Sequence, residues 1–206
     1  MKRSRKINLK DYVTMKRWIS YAYQIRSIEE TNPKSVLEIG KGDGSVTAIL
    51  KNRGYKVATF DFDENLDPDY VGDVRSLPFK DDQFEAISIC QVLEHIPFED
   101  IDLALSELEK KKKKRVVCSL PYSSLNLSLT LSFTGIKKLF KKEFLHLSLG
   151  FPSSIKKKSK KHFWEIGWRG YPLSRVRKKL RSRFDIISEF KAMPNHYHHF
   201  FILSPK

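Results

Sequence analysis

A loop that contains three glycines limits most strongly what this chain can fold into. The stretch VLEIGKGDGS, residues 36–45, places Gly40, Gly42 and Gly44 between an apolar run and a helical pattern. Glycine has no Cβ atom, so such a loop lets the main chain approach a bulky ligand closely. The spacing is G-x-G-x-G rather than the dinucleotide-binding G-x-G-x-x-G, and Glu38 stands in front of it. A carboxylate there repels a pyrophosphate and suits a positively charged ligand, such as an ammonium or a sulfonium.

Strand and helix patterns alternate along most of the chain. The sequence predicts strands at KSVLEIG, YKVATFDFD, DYVGDV, FEAISICQV and RVVCSLPY, and helices at residues 11–30, SVTAILKNRG and DIDLALSELEKKKKK. Two final strands, RFDIISEFKAM and HHFFILSP, are joined by a short turn and are therefore expected to be antiparallel to each other. This order predicts the α/β class: a Rossmann-like doubly wound sheet of about seven strands, mostly parallel with an antiparallel last strand.

A single domain is expected over residues 1–206, because this length supports one core and is short for two. Residues 1–33 are interpreted as an N-terminal helical cap that could cover the cofactor, although such an aromatic stripe is more often a core-facing surface. Residues 123–161 break the pattern and are predicted to be an insertion that acts as a lid. In this insertion LNLSLTLSF and FLHLSL have strand periodicity, GIKKLFKK is a short basic helical pattern, and FPSSIKKKSKKH is a basic loop.

The segment EIGKGDG, residues 38–44, resembles motif I of class I S-adenosylmethionine-dependent methyltransferases, in particular the type 11/25-like domains. The resemblance extends over residues 35–122 and implies that S-adenosylmethionine is the cofactor, bound at Glu38 and the three glycines. It also implies that Asp61, at the end of the second strand, accepts hydrogen bonds from the ribose hydroxyls, with Phe62 beside it. Asp63 is the competing acid, and either aspartate could instead cap the following turn.

Two downstream segments extend this resemblance. GDVRSLPFKDDQFEAI, residues 72–87, resembles the family's stretch after the third strand, which implies that Asp73 meets the adenine amino group and Val74 lies beside the ring. Asp73 could equally pair with Arg75. QVLEHI, which begins at Gln91, resembles the segment that lines the methionine end of the cofactor.

Candidates for a catalytic base come from strand ends and from one aromatic segment. A base is needed only where the methyl acceptor must lose a proton. His95 and Tyr122 follow the fourth and fifth strands, and HFWEIGWRGYPLSR places Glu165 among aromatic side chains. The alternatives are a structural histidine, and an ion pair of Glu165 with Arg169 at helical spacing.

No metal site is predicted from the sequence. His196, His198 and His199 are close together, but the last two would point to opposite faces of a strand and no nearby cysteine or acid completes a site. Cys90 and Cys118 lie in apolar runs and are expected to be buried free thiols.

The charge is divided unevenly between the two halves of the chain. Residues 1–109 carry 15 Lys and Arg against 20 Asp and Glu, whereas residues 110–206 carry 24 against 4, and the whole chain has a net charge of +15. A basic half favours an anionic partner or merely keeps the protein soluble. Three runs could follow nucleic-acid phosphates, namely KKKKKR at 110–115, KKLFKK at 137–142 and KKKSKK at 156–161.

Three functions remain open on these grounds. The preferred hypothesis is a methyltransferase that acts on a small-molecule or lipid-like acceptor under the lid. The first alternative is a methyltransferase for RNA or another nucleic acid, although ICQV stands where base-amine methyltransferases carry an N/D-P-P-Y-type motif. The second alternative is a non-catalytic cofactor-binding protein. The oligomeric state is left open.

The expected location is the cytoplasm. No apolar run approaches the length of a membrane-spanning helix, and the basic N-terminus is not followed by an apolar run typical of a secretory signal. Peripheral contact with a membrane through Leu125, Leu127, Leu129, Leu131 and Phe133 is a further interpretation of the insertion.

Overall fold

The computed structural model describes residues 14–131, 145–152 and 161–206. The helices are α1 Met15–Glu29, α2 Ser45–Asn52, α3 Ile101–Lys111 and α4 Leu173–Arg181. The strands are β1 Ser35–Ile39, β2 Lys56–Asp61, β3 Tyr70–Val71, β4 Phe84–Cys90, β5 Lys112–Pro121, β6 Ser124–Leu131, β7 Leu145–Pro152, β8 Phe184–Ala192 and β9 Asn195–Pro205. Short 3₁₀ turns span Glu64–Leu66, Leu93–His95 and Phe98–Asp100.

Seven strands form one sheet in the order β3-β2-β1-β4-β5-β9-β8. Strands β1 to β5 are parallel to their neighbours, and β9 is antiparallel to both β5 and β8. This arrangement confirms the predicted Rossmann-like sheet with an antiparallel last strand. The strand order reverses between β1 and β4, and in open α/β sheets ligands bind in the crevice at such a point, beyond the carboxyl ends of the strands.

Buried apolar side chains cover both faces of the sheet. One cluster includes Leu37 and Ile87 from the central strands, Leu105 of α3 and Leu180 of α4. The other includes Ile28 of α1, with residues of α2, β1, β5 and β9. Each central strand is therefore buried on both sides, which is the physical reason why the strand segments are almost continuously apolar.

The basic run at 110–115 is part of the fold. Helix α3 ends at Lys111 and β5 begins at Lys112, three residues earlier than the sequence pattern suggested. Lys112 is 3% exposed, and its Nζ atom lies 5.2 Å from the centre of the Phe184 ring. Lys111 pairs with Asp81 at 2.8 Å. The aliphatic stems of these lysines can pack as apolar groups do, which allows a charged sequence to enter a buried strand.

Strands β6 and β7 form a separate antiparallel ribbon. Leu127 faces Leu149 and Leu129 faces Leu147 across the ribbon, and these four side chains are between 54% and 70% exposed. The period-two patterns in the insertion are thus confirmed as strands. The predicted basic helix and most of the basic loop lie outside the described residues, and the lid remains a prediction. Within the described ranges, no helix has the length and apolar character that crossing a bilayer requires.

Candidate active site

The glycine loop leaves β1 at the point where the strand order reverses. Gly40, Gly42 and Gly44 have φ angles of +82°, +56° and +77°, in the left-handed region that side chains disfavour. At Gly40 an added Cβ atom would lie 2.4 Å from Cγ2 of Val92, in the loop that follows β4. The two loops therefore pack against each other, and this close contact, together with the backbone conformation, excludes a side chain at Gly40.

Glu38 lies near the end of β1, directly before this loop. It is 2% exposed, and the Thr47 hydroxyl of α2 donates a hydrogen bond to its carboxylate. Burial raises the pKa of Glu38 to about 7, and the neighbouring acids Asp43 and Asp61 add to this effect. A cationic ligand at this place would favour the ionised form and would itself be stabilised by it.

Helix α1 contacts the glycine loop from one side. The Tyr21 hydroxyl donates a hydrogen bond of 2.8 Å to Oδ1 of Asp43. Gln24, which is buried, donates to the Ser88 hydroxyl of β4 at 2.8 Å. These bonds fix the predicted N-terminal cap beside the loop, and its function as a cover for a cofactor stays a prediction.

Asp61 and Phe62 follow β2, the strand next to β1. Asp61 is 5% exposed, and burial raises the pKa of its carboxyl, whose Oδ1 accepts the Asp63 main-chain amide at 3.1 Å. Phe62 is 77% exposed. Asp63 is the N-cap of the following 3₁₀ turn, where its Oδ1 accepts the Asn65 amide at 3.1 Å. Both aspartates thus cap the turn after β2, Asp61 through the Asp63 amide and Asp63 through the Asn65 amide.

Asp73 is paired with Arg75. Its two oxygens accept Nε and Nη2 of Arg75 at 2.9 and 2.6 Å, and these bonds lower the pKa of Asp73. Arg75 also donates to Asp100 at 2.6 Å. A carboxylate has further lone pairs, so the pair leaves capacity for another donor. Val74 is 6% exposed within the main core cluster, which leaves little of its side chain for contact with a ligand.

Gln91 terminates β4 in a strained conformation. Its φ angle is +58°, which is uncommon for a residue with a side chain. Its main-chain amide and its side-chain amide both donate to Ser119 of β5, at 2.9 and 3.2 Å. These bonds hold the loop that carries Val92 against the glycine loop.

His95 and Glu165 are brought together by the fold. His95 contacts His162 with ring centres 4.8 Å apart, and Nδ1 of His162 lies 2.8 Å from Oε1 of Glu165. The Tyr197 hydroxyl donates to the same oxygen at 2.9 Å. Glu165 is therefore bonded to His162 and Tyr197 and not to Arg169, and residues 161–172 are not helical. Burial lowers the pKa of His95.

Glu94 completes this cluster and is its most deeply buried member. The side chain is 0% exposed, and burial raises its pKa to about 8. Its carboxyl approaches its own main-chain amide, and neither oxygen accepts a hydrogen bond of normal geometry from any described residue. Glu94 and His162 are not among the site residues predicted from the sequence. One sequence feature could have indicated Glu94, because it is a charged residue that directly follows the apolar Leu93 and stands close to the apolar Ile96.

The segment that carries His162 and Glu165 is bonded to the end of β5. The Ile166 amide donates to the Pro121 carbonyl at 3.0 Å, and the Ser123 amide donates to the Ile166 carbonyl at 2.8 Å. At Gly167, whose φ is +92°, an added Cβ would lie 2.3 Å from the Ser123 oxygen. Trp164, which is 1% exposed, donates from Nε1 to the Ile96 carbonyl at 3.2 Å. The tryptophan thus anchors the segment in the core.

Tyr122 lies beside the segment that carries Glu165, where it pairs with Ile166, but its ring faces the last two strands. The Tyr122 ring contacts the ring of His199 at 5.6 Å and Nζ of Lys191 at 4.5 Å, on the last two strands. Burial lowers the pKa of both His198 and His199 to about 4. The buried cysteine Cys118 and the half-buried Cys90 are free thiols, as expected.

The central part of the chain matches a known family model. Residues 37–119 match the family model described as a methyltransferase domain. The match lies within the region of the sequence resemblance, which it confirms. No curated protein matches the chain in sequence.

Solved structures share the architecture of this chain. The magnesium protoporphyrin IX methyltransferase ChlM of Synechocystis PCC 6803, with bound SAH, has a TM-score of 0.65 and 14% identity, covering 100% of this chain and 90% of that chain. The PH0226 protein of Pyrococcus horikoshii OT3 has a TM-score of 0.61 and 12% identity, covering 95% and 94%. The 1,6-didemethyltoxoflavin-N1-methyltransferase of Burkholderia thailandensis has a TM-score of 0.59 and 12% identity, covering 92% and 81%. At these identities the likeness is one of fold.

Proposed function

We propose that this protein is an S-adenosylmethionine-dependent methyltransferase that acts on a small-molecule or lipid-like acceptor. The observation that carries the proposal is the glycine loop: three left-handed glycines follow the buried Glu38 at the point where the strand order reverses. The methyltransferases of Synechocystis and Burkholderia thailandensis named above were crystallised with S-adenosylhomocysteine bound.

The residues at this edge fit the cofactor. The main chain at Gly40 and Gly42 would face its methionine part, and the Glu38 carboxylate would favour its positive charge. Asp61 would accept hydrogen bonds from the ribose hydroxyls, and the exposed ring of Phe62 would pack on the adenine. Asp73 and Val74 would lie at the adenine edge, and Gln91 near the methionine end. The cofactor supplies a methyl group that is already activated by the sulfonium, so the protein mainly positions the acceptor and excludes water.

We place the acceptor beside the loop that follows β4. Val92 of this loop packs against Gly40, and His95 follows three residues later with Glu165 close by. Two of the three base candidates from the sequence thus lie in one cluster, while the Tyr122 ring contacts the last two strands. This proximity supports His95 and Glu165 over Tyr122 as residues that act on the acceptor.

The exposed leucines of the ribbon support an apolar or lipid-like acceptor. Alternate residues of β6 place Leu125, Leu127 and Leu129 on one face, each more than half exposed. In contrast, Lys110, Lys111 and Lys114 of the basic run are paired with acids, and Lys112 is buried. This run is engaged within the fold, which weighs against the nucleic-acid alternative.

Calorimetry with S-adenosylmethionine and S-adenosylhomocysteine tests the cofactor site. We expect both to bind the wild type, and we expect Gly42→Val to bind them at least tenfold more weakly. Gly54→Val is the matched control, because Gly54 also has a positive φ, +87°, but an added Cβ there would meet open space. Equal affinities in the two variants would refute the assignment of the loop.

A labelled-methyl assay tests the acceptor class. The wild type is incubated with labelled S-adenosylmethionine and with separate metabolite, lipid and RNA fractions. We expect label in the metabolite or lipid fraction. Label in RNA alone would favour the nucleic-acid methyltransferase, and cofactor binding without transfer to any fraction would favour the non-catalytic alternative.

A further inference from the structure

We propose that Glu94, His95 and His162 form a binding site for a divalent transition-metal cation such as Zn²⁺. One ligand atom of each of these residues lies within 4.8 Å of those of the other two. In a tetrahedral zinc site two ligand atoms, each about 2.0–2.2 Å from the metal, stand about 3.4 Å apart, so side-chain rotations that bring the three atoms about 1 Å closer together would close the site. From the sequence alone no metal site was expected.

The hydrogen bonds of the two histidines prepare them as ligands. Nδ1 of His95 lies 3.0 Å from the Lys161 carbonyl oxygen, which can only accept, so Nδ1 carries the proton and Nε2 keeps its lone pair. Nδ1 of His162 lies 2.8 Å from the Glu165 carboxylate, which fixes the same tautomer. Metal-binding histidines commonly donate their second nitrogen to a carbonyl or a carboxylate in this way.

Glu94 provides the independent reason to expect a cation. It is 0% exposed and turns its carboxyl towards the two imidazoles, yet neither oxygen accepts a hydrogen bond of normal geometry from a described residue. Protonation alone would not satisfy the group, because the resulting hydroxyl would also lack an acceptor. A metal cation bound by two neutral imidazoles would neutralise this carboxylate, which otherwise destabilises the fold by burial without a partner.

The chain also holds the three residues in fixed positions. The Phe163 amide donates to the Glu94 carbonyl at 2.9 Å, which joins the two segments that carry the ligands. Tyr197 donates to Glu165 at 2.9 Å and so orients the carboxylate that orients His162. When the metal is bound, Glu165 is accordingly a positioning residue, and His95 serves as a ligand and not as a base.

Two imidazoles and one carboxylate indicate the kind of metal and its use. Imidazole nitrogens favour zinc, iron, copper or nickel over magnesium or calcium. Three protein ligands leave at least one coordination position open, as in catalytic zinc sites. An acceptor oxygen that took this position would be held beside the loop after β4. This binding of the acceptor rests on the proposed function, whereas metal binding does not.

Titration of the metal-free full-length protein with Zn²⁺ tests the site by calorimetry. We expect one Zn²⁺ per chain and at least tenfold weaker binding in Glu94→Gln and His162→Gln. Glu99, which is exposed, and His196, which is half-buried, lie outside the cluster and provide the control variants Glu99→Gln and His196→Gln, which should bind as the wild type does. Glu165→Gln retains an acceptor for His162 and should bind more tightly than Glu165→Ala, a difference that a purely structural role would not produce.

Substitution of Co²⁺ for Zn²⁺ in the wild type gives an absorption spectrum that tests the site without any variant. We expect ligand-field bands typical of nitrogen and oxygen ligands, without the charge-transfer band of a thiolate. Absence of one-to-one Zn²⁺ binding, an unchanged affinity in Glu94→Gln, or a thiolate band would overturn the proposal. None of these readouts uses methyl transfer. The metal site can therefore be refuted without refuting the proposed function, and the proposed function can be refuted without refuting the metal site.

Discussion

Replacement of Glu38 by glutamine should stabilise the free protein above neutral pH while weakening cofactor binding. Glu38 is 2% exposed, and burial raises its pKa from an ordinary 4.5 to about 7. Glutamine has nearly the same shape, and its side-chain oxygen can still accept the hydrogen bond from Thr47. The variant therefore removes the negative charge and changes little else.

The size of the effect follows from the pKa. One pKa unit corresponds to about 1.4 kcal/mol, so the rise caused by burial is equivalent to about 3 kcal/mol. Because the folded state raises the pKa, the protonated carboxyl stabilises the fold below pH 4.5, and this contribution is lost as the pH rises through about 7. Relative to Glu38→Gln, the wild type should lose about 2 kcal/mol of unfolding free energy between about pH 5 and about pH 8.

Urea unfolding followed by circular dichroism measures this difference at both pH values. Glu30→Gln is the matched control, because Glu30 is exposed and pairs with Arg26 on the surface. Calorimetry at about pH 8 should show at least tenfold weaker binding of S-adenosylmethionine to Glu38→Gln. Parallel pH profiles of the wild type and Glu38→Gln, or equal affinities for the cofactor, would refute the reasoning.

Three further changes have separate expected outcomes. Gly40→Ala should lower the unfolding free energy by about 2 kcal/mol or more in urea, because the left-handed φ and the contact with Val92 both oppose a Cβ. Phe62→Ala should leave stability within about 0.5 kcal/mol but weaken S-adenosylmethionine binding in calorimetry, since its ring is exposed. Asp61→Asn should weaken binding of S-adenosylmethionine more than binding of methionine, because only the former has a ribose; equal losses would contradict the ribose role.

The sheet and the glycine loop were predictable from the sequence because local rules determine both. Gly40, Gly42 and Gly44 follow an apolar strand, and a left-handed main chain strongly favours glycine. Apolar segments of strand length that alternate with helical patterns specify the parallel sheet. The predicted strand β5 began at Arg115, three residues too late, because lysine is counted as polar in a hydrophobic pattern. In the structure Lys112 is buried against Phe184.

The cluster around Glu94 could not be predicted in the same way. His162 reaches it only because the segment after β7 bonds to the end of β5 and because Gly167 allows a close contact with Ser123. These are contacts between residues far apart in the sequence, and the periodicity of apolar residues along the chain cannot predict them. The pairing of Glu165 with His162 and Tyr197 in place of Arg169 has the same cause.

A crystal structure of the protein with S-adenosylhomocysteine would test the central claim most directly. We expect the nucleoside along the carboxyl edge of β1, β2 and β4, with its ribose at Asp61 and its homocysteine part over Gly40 and Gly42. Density for the ligand at any other place, or an edge closed by packed side chains, would contradict the assignment of this chain as a methyltransferase that uses the glycine loop.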